Sequence, residues 1–399
     1  MKKSVAIIGG GASALMLAAQ LDETKYSVTL YERNAAVGRK LLVAGDGGFN
    51  LTHSEDIEQF IERYTPVSFL EKSIRSFSNN DLRNWLKSIG IETYVGTSKR
   101  VFPVKGIKPI EVLNAILNVL KQKNVVIKTQ HEWKGWGKDN ELIIEHNSQV
   151  LNVKSNITVF AMGGASWKVT GSDGNWLNYF KEKEIKTISF QASNCAVKIN
   201  WDKSFLEKAE GKSLKNILVK SGGKEKKGEL VITTFGLEGG AVYALIGQIR
   251  KQLNEQKEAI LLVDLKPLLS AEEIKNKINN RGNKSLTKHL EDTLNLDKIQ
   301  MELLKTVLSK EQFTSVEVLA DKIKNIPLII SGLASIDEAI STVGGISLNE
   351  VDENFQLKKI PDNYCIGEML DWDAPTGGYL LQASFSMGYC LAKHLNETK

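Results

Sequence analysis

The chain has 399 residues, 42% of them apolar and 25% charged, with a net charge of +5. That composition is ordinary for a globular protein and argues against disorder, while the length exceeds one ordinary core and predicts two or three structural units. Three scattered cysteines, Cys195, Cys365 and Cys390, form no CxxC pair, and their spacing, with a lone His394 near Cys390, supplies no metal-ligand set, which argues against a disulfide framework, a structural zinc site and a redox dithiol, and predicts a reducing, cytoplasmic setting.

At the N-terminus, Lys2 and Lys3 precede an apolar run to Ala19 that imitates a leader peptide. Gly9, Gly10 and Gly11 break the imitation, and no other stretch approaches the length of a membrane span, so no membrane association is expected. Val5 to Ile8 reads as a parallel strand buried on both faces. Gly9, Gly11 and Ala14 then form G-x-G-x-x-A, whose small residues permit a tight turn, close approach to a pyrophosphate, and close packing of helix on strand. A helix from about Ser13 to Leu21 aims its free N–H groups at the phosphates. Val28 to Tyr31 forms a second strand, and Glu32, 23 residues after Gly9, is placed to accept from a ribose 2′-OH. Gly9, Gly11, Ala12, Ser13, Ala14, Glu32 and the adjacent Arg33 are therefore candidate dinucleotide contacts. This segment leaves NAD and FAD open; the acid argues against NADP.

Gly38-Arg39-Lys40 follows, and then a glycine-rich stretch through Gly45, Asn50, Leu51 and His53. Ile157 to Ala161 reads as another buried strand, ending in Met162-Gly163-Gly164, a second close approach of backbone to cofactor. From about Gln191 to Ser331 the βα rhythm is lost. Strand-like pieces at Asn194 to Ile199, Leu230 to Thr234 and Ile260 to Leu265 are accompanied by helical ones at Ala271 to Asn279, Leu286 to Leu294 and Lys298 to Leu308. Two stretches are basic: Lys203 to Lys227 holds eight Lys against three Glu, and Lys275 to Lys288 holds four Lys and Arg281 with no acid. Such runs suit either a phosphate backbone or a plain solvated face. Near the C-terminus Tyr364-Cys365-Ile366 leads to Gly367-Glu368-Met369-Leu370-Asp371, then Thr376-Gly377-Gly378-Tyr379 and a helix from Leu380 to Leu395.

Three of these segments together resemble the BaiN-like family of NAD(P)/FAD-dependent oxidoreductases, some of whose members are labelled aminoacetone oxidase-like. They are Gly38 to Leu42, Gly47 to His53 and, most specifically, Gly367 to Tyr379. Gly228 to Gly240 and Thr342 to Ile346 add to the likeness in the same order. Much of the family carries Gly-Gly-Gly-Arg-Cys-Asn in the flavin loop, whereas this chain has Gly48 and Phe49 at the Arg and Cys positions and retains Asn50.

The resemblance implies an α/β fold: a Rossmann-like, glutathione-reductase-like FAD-binding domain over 1–190 and 332–399. Inserted at 191–331 is a β-barrel substrate or cap domain with a helical insertion at about 268–325. It places Gly38, Arg39, Lys40, Gly45, Asn50, Leu51, Ala161, Met162, Gly163, Gly367, Glu368, Asp371, Gly377, Gly378 and Tyr379 at the FAD. His53, Asp371 and Tyr379 lie near the flavin edge by motif position, without an assigned catalytic role, and Trp372 is the candidate for stacking on cofactor or substrate. The implied function is FAD-dependent oxidation or reduction of an unknown small molecule through flavin N5, with NAD(P)H as a transient reductant and no metal. Two alternatives stay open: reduction of uridine to dihydrouridine in ribosomal RNA, through the basic patches, and a non-catalytic FAD-containing sensor or scaffold.

Overall fold

The computed structural model describes residues 1–43 and 48–398. The chain divides into two compact units, Met1–Gln191 with Ser341–Lys399, and Ala192–Ile340.

The first unit is organised by a five-stranded sheet whose order is Asn363–Cys365, Ile157–Phe160, β1 (Lys3–Ile8), β2 (Tyr26–Glu32) and Val126–Thr129. All four pairings are parallel, with Val5 opposite both Ile157 and Val28. Val5 to Ile8 are at most 3% exposed, as an unbroken apolar run in a parallel sheet requires. Helix α1 (Ala12–Gln20) is buried from Ser13 to Ala19, so it is enclosed rather than amphipathic. The last helix, Tyr379–Glu397, packs on it. A Cβ on Gly388 would strike the Ser13 carbonyl oxygen, so glycine lets the two helix backbones meet closely. On the other side, Trp133, Trp136, Phe160 and Phe180 meet ring to ring at centroid distances of 4.7 to 5.7 Å. A three-stranded meander, Glu132–Trp136, Leu142–His146 and Gln149–Val153, supplies the two tryptophans. A third sheet pairs Thr52–His53 with Arg100–Pro103 and that strand with Thr93–Val95.

The second unit holds a seven-stranded antiparallel sheet ordered Ile326–Ile330, Ala259–Asp264, Ser213–Ser221, Lys224–Ile232, Gly236–Glu238, Val197–Lys198, Gly332–Leu333. Its two end strands are separated in sequence only by Ser331, so the sheet curls back on itself. Five helices between Ala271 and Lys324 connect Ala259–Asp264 to Ile326–Ile330. Residues 332–340, which the sequence suggests belong to the first unit, pack in the second. Leu333 pairs with Val197, and Ile340 N donates to the Asn194 carbonyl. The strand pairing extends past Ser331, where the resemblance places the end of the insert. Among the described residues, no helix is long and apolar enough to cross a membrane.

Candidate cofactor cradle

Gly9 ends β1 with φ +100°, and a Cβ there would lie 2.5 Å from the Ala161 carbonyl oxygen. The same crossing is tied by Ala161 N donating to Ile8 O and Gly9 N donating to Tyr31 O, both at 2.8 Å. The absent side chain at Gly9 thus brings the turn after β1 against the end of Ile157–Phe160, where an open parallel sheet holds its ligands. Gly11 caps α1 without a side-chain hydrogen bond, and the first turn, including Ala12, Ser13 and Ala14, contains no acid. Its amides therefore lack the side-chain partner that Asp56, Ser78, Asp202 and Ser270 provide elsewhere, an arrangement suited to a phosphate.

Glu32 spans this turn. One carboxylate oxygen accepts from Gly10 N at 2.8 Å, and the other accepts from Asn34 N and Nδ2 at 2.8 and 2.6 Å. The acid is thereby fixed beside the glycines while keeping lone pairs for a ribose hydroxyl. Arg33 turns away into an ion pair with Asp173 at 3.0 Å and donates to the Gly171 carbonyl. Arg39 extends the Glu32 network, donating to Asn34 Oδ1 and Val169 O, each at 2.7 Å. Gly38 packs on Leu113 and donates its N–H to Gly10 O.

Lys40 lies within 3.4 Å of Glu368 and donates to Ser166 Oγ at 2.9 Å. Glu368 accepts from Thr342 N at 3.1 Å, and the Thr342 hydroxyl accepts from Ala165 N at 3.1 Å. A Cβ on Gly164 would strike Thr342 Oγ1, and one on Gly367 would lie 2.5 Å from Ser13 Oγ. The motif segments at 38–40, 161–164 and 367–368 therefore converge with the N-terminal turn. Met162 and Gly164 both present carbonyls to Ser172 Oγ, and Gly163 between them has φ +73°.

Farther along, Asp371 Oδ1 accepts from Gly344 N at 3.0 Å, which fixes the chain's return through Ser341–Ile346. Trp372 is not a stacking surface. It is 1% exposed, and its indole N–H donates to Gly367 O at 2.9 Å, because the ring fills the core beneath the loop. Gly378, at φ +99°, caps the last helix without a side-chain bond and backs onto Thr52, whose Cα would be 2.5 Å from a Cβ; Gly377 faces Tyr379 and Arg100. Tyr379 donates its hydroxyl to Glu55 Oε1 at 2.5 Å, and its ring stacks on His53 at 5.3 Å. Arg63 donates twice to Glu55, at 3.0 and 2.8 Å. Burial, followed by the Glu55 contact, pushes the Tyr379 phenol pKa up. Burial alone would raise the Glu55 carboxyl, but hydrogen bonds from Arg63 and Tyr379 leave it below its ordinary value. Burial also holds the His53 imidazole low, and its Nδ1 accepts from Glu55 N at 3.2 Å, so the ring is the neutral Nε2–H tautomer.

In the glycine-rich stretch, Gly45 lies outside the described residues. Asn50 is half-buried, whereas Leu51 is fully buried, with its N–H on Val101 O, so Leu51 holds the loop to the core. Three residues of this region escape sequence reasoning: Glu55, Arg63 and Ser166. They occupy no recognisable spacing and meet their partners only through the fold. Gly10, which in the sequence reads only as a break in the N-terminal apolar run, is required by the fold, because its Cβ position is filled by Val37 Cγ1 at 2.5 Å.

The residues present fit a dinucleotide. The space beside Gly11 is open, with Ala161 O at 4.0 Å the nearest atom to a Cβ there; the starts of α1 and of the last helix carry no side-chain cap, and one carboxylate stands beside the turn. A family model described as HI0933-like protein Rossmann domain matches residues 3–394. The chain is 24% identical over 411 residues to the 3-dehydro-bile acid delta(4,6)-reductase of Clostridium scindens, covering 98% of this chain and 99% of the relative. It is 25% identical over 402 residues to the ribosomal RNA dihydrouridine synthase of Haemophilus influenzae, covering 98% of each. Its fold is similar to the crystal structure of 3-ketosteroid-delta4-(5alpha)-dehydrogenase from Rhodococcus jostii RHA1, with TM-score 0.50 at 13% identity over 99% of this chain and 96% of that one. With its glycine turn, acid and parallel sheet joined to a match over nearly its whole length, the chain belongs to the HI0933-like, BaiN-like family of FAD-dependent Rossmann flavoproteins.

Proposed function

We propose that the protein is an FAD-dependent oxidoreductase whose flavin is reduced by NAD(P)H bound transiently and reoxidised by a small-molecule substrate. The observation that supports the reading is the wedge of Gly9 against Ala161 beside Glu32 and the uncapped start of α1, where a dinucleotide would bind. Bound FAD supplies the two-electron hydride chemistry at N5. The α1 amides from Ala12 to Ala14 would hold its pyrophosphate, and Glu32 would accept from its ribose. Lys40, held by Ser166 and Glu368, adds a fixed positive charge to the cradle, and the uncapped start at Gly378 adds the positive end of a helix dipole. Asp371 and Tyr379 are engaged in structural hydrogen bonds, so they position loops, and His53 is a neutral imidazole stacked on Tyr379. The test is turnover: FAD-reconstituted protein should oxidise NADH or NADPH faster when a true acceptor is added from a panel of unsaturated small molecules. Flavin-independent or absent oxidation with every acceptor overturns the reading.

An RNA substrate is a second reading, supported by the Haemophilus relative and by Lys224, Lys226 and Lys227, all exposed on one hairpin strand. The second basic run supports it less: Lys275 pairs with Glu317, and Lys284 and Lys288 both pair with Asp292. Binding of ribosomal RNA that weakens steeply with salt and is lost when the three hairpin lysines become Gln supports this reading. Indifference to RNA removes it.

A further inference from the structure

A groove of about 790 Å³ opens within the inserted unit, and every residue lining it belongs to that unit. The loop from Leu265 to Leu269 lines one part, the hairpin around Asn216 and Gly228 another, and Leu294 with Asn295 the rest. The loop is braced from behind. Lys324 forms an ion pair with the buried Asp264 at 2.6 Å and donates to Lys266 O and Leu269 O at 3.0 and 2.6 Å. Asp264 in turn accepts from Lys266 N at 2.9 Å. Leu268 is therefore held 87% exposed by a pinned backbone. Two left-handed residues flank the groove, Asn216 at φ +54° beside a register shift in the hairpin and Asn295 at φ +51°, and such bulges concentrate beside sites.

The lining combines leucines with three lysines, Lys215, Lys227 and Lys266, against one carboxylate, Glu229. Lys266 is half-buried; its ammonium donates to Asn295 O at 2.7 Å, and burial lowers its pKa against a smaller opposing pull from Asp297. A cation in that position is stabilised by an anion, and a leucine held out on a rigid loop is stabilised by an apolar cover. The volume suits one small molecule. We propose that this groove binds an amphipathic small-molecule anion, its carboxylate or phosphate head held by Lys266 and Lys227 and its apolar body laid on Leu268, Leu269 and Leu294.

The site is independent of the flavin reading, because its readout is binding heat and not flavin reduction. Full-length, FAD-loaded protein is titrated calorimetrically with dodecanoate, dodecyl phosphate and neutral dodecyl maltoside, each below its micellar concentration. The expected result is one-to-one binding of at least one of the anions, at least tenfold tighter than the neutral amphiphile. Lys266→Met and Leu268→Asp should each weaken it about tenfold or more, while Lys251→Gln, outside the groove, leaves it unchanged. The two heads distinguish a carboxylate site from a phosphate site. Should Lys266→Met fail to fold, Leu268→Asp and Lys227→Gln decide the matter, since both replace exposed residues. Absence of binding by both anions, equal binding of the neutral amphiphile, or binding indifferent to these substitutions overturns the proposal.

Discussion

The Tyr379 hydroxyl donates to Glu55 Oε1 at 2.5 Å, joining the first residue of the last helix to an acid 324 positions earlier. Arg63 closes the other side of Glu55, and the Tyr64 hydroxyl donates to the Tyr379 carbonyl at 2.9 Å. The start of the helix at Gly378 is thus fixed by buried polar bonds and not by a cap. Tyr379→Phe removes one bond to a buried carboxylate and should destabilise the protein by about 1 to 3 kcal/mol. Arg63→Met leaves Glu55 buried without its cation and should cost more than Tyr379→Phe. Urea denaturation of the two variants checks both the loss and its order.

Acid should weaken the fold in two stages. The His53 imidazole is held below its ordinary value of 6.5, chiefly by burial, so the unfolded chain binds the proton more readily. Stability is then full above about pH 6.5 and declines as the pH falls toward the folded value. The Glu55 carboxyl, although burial raises it, lies below its ordinary 4.5 because of Arg63 and Tyr379. Its contribution is present above that value and is lost as the pH falls through the folded one. Melting temperatures between pH 8 and 4 should decline first below about 6.5, and His53→Phe should flatten that first stage.

Gly9→Ala sets a methyl group 2.5 Å from the Ala161 carbonyl at a φ of +100°. The turn must open, and purified protein should lose most of its flavin; absorbance at the oxidised flavin band, relative to protein, measures the loss. Gly90 provides the control. Its φ is +89°, but nothing lies within 4 Å of its Cβ position, so Gly90→Ala bears only backbone strain and should keep its flavin.

Glu32→Gln keeps the shape but removes the charge that accepts from Gly10 and Asn34 and that, in the proposed complex, would accept from a ribose hydroxyl. Charge-assisted hydrogen bonds contribute about 1.5 to 3 kcal/mol, so the dissociation constant for FAD should rise at least about tenfold. Fluorescence titration of the apoprotein with FAD checks this.

What was legible in the sequence was local. The buried run Val5 to Ile8, the glycine turn, and the helices Ala271–Asn279 and Leu286–Leu294 lie where periodicity and breakers put them, because each is encoded by its own residues. The strand Lys224–Ile232 was only partly visible: its first half is charged and exposed, so no alternation marks it. The meander at Glu132–Trp136 carries no clean alternation in the sequence, because a bulge lies between Trp133 and Trp136. Trp372 looked available from its motif, but burial is set by the loop folded over it. The bonds among Glu55, Arg63 and Tyr379, and between Lys40 and Glu368, span residues with no common spacing, and only the assembled fold brings them together.

The central claim is that this cradle holds a flavin that accepts hydride from a nicotinamide. Its most direct test is anaerobic stopped-flow mixing of FAD-loaded protein with NADH and, separately, NADPH. The account predicts rapid loss of the oxidised flavin band with at least one of them. Flavin that is bleached by dithionite but by neither nicotinamide would contradict it.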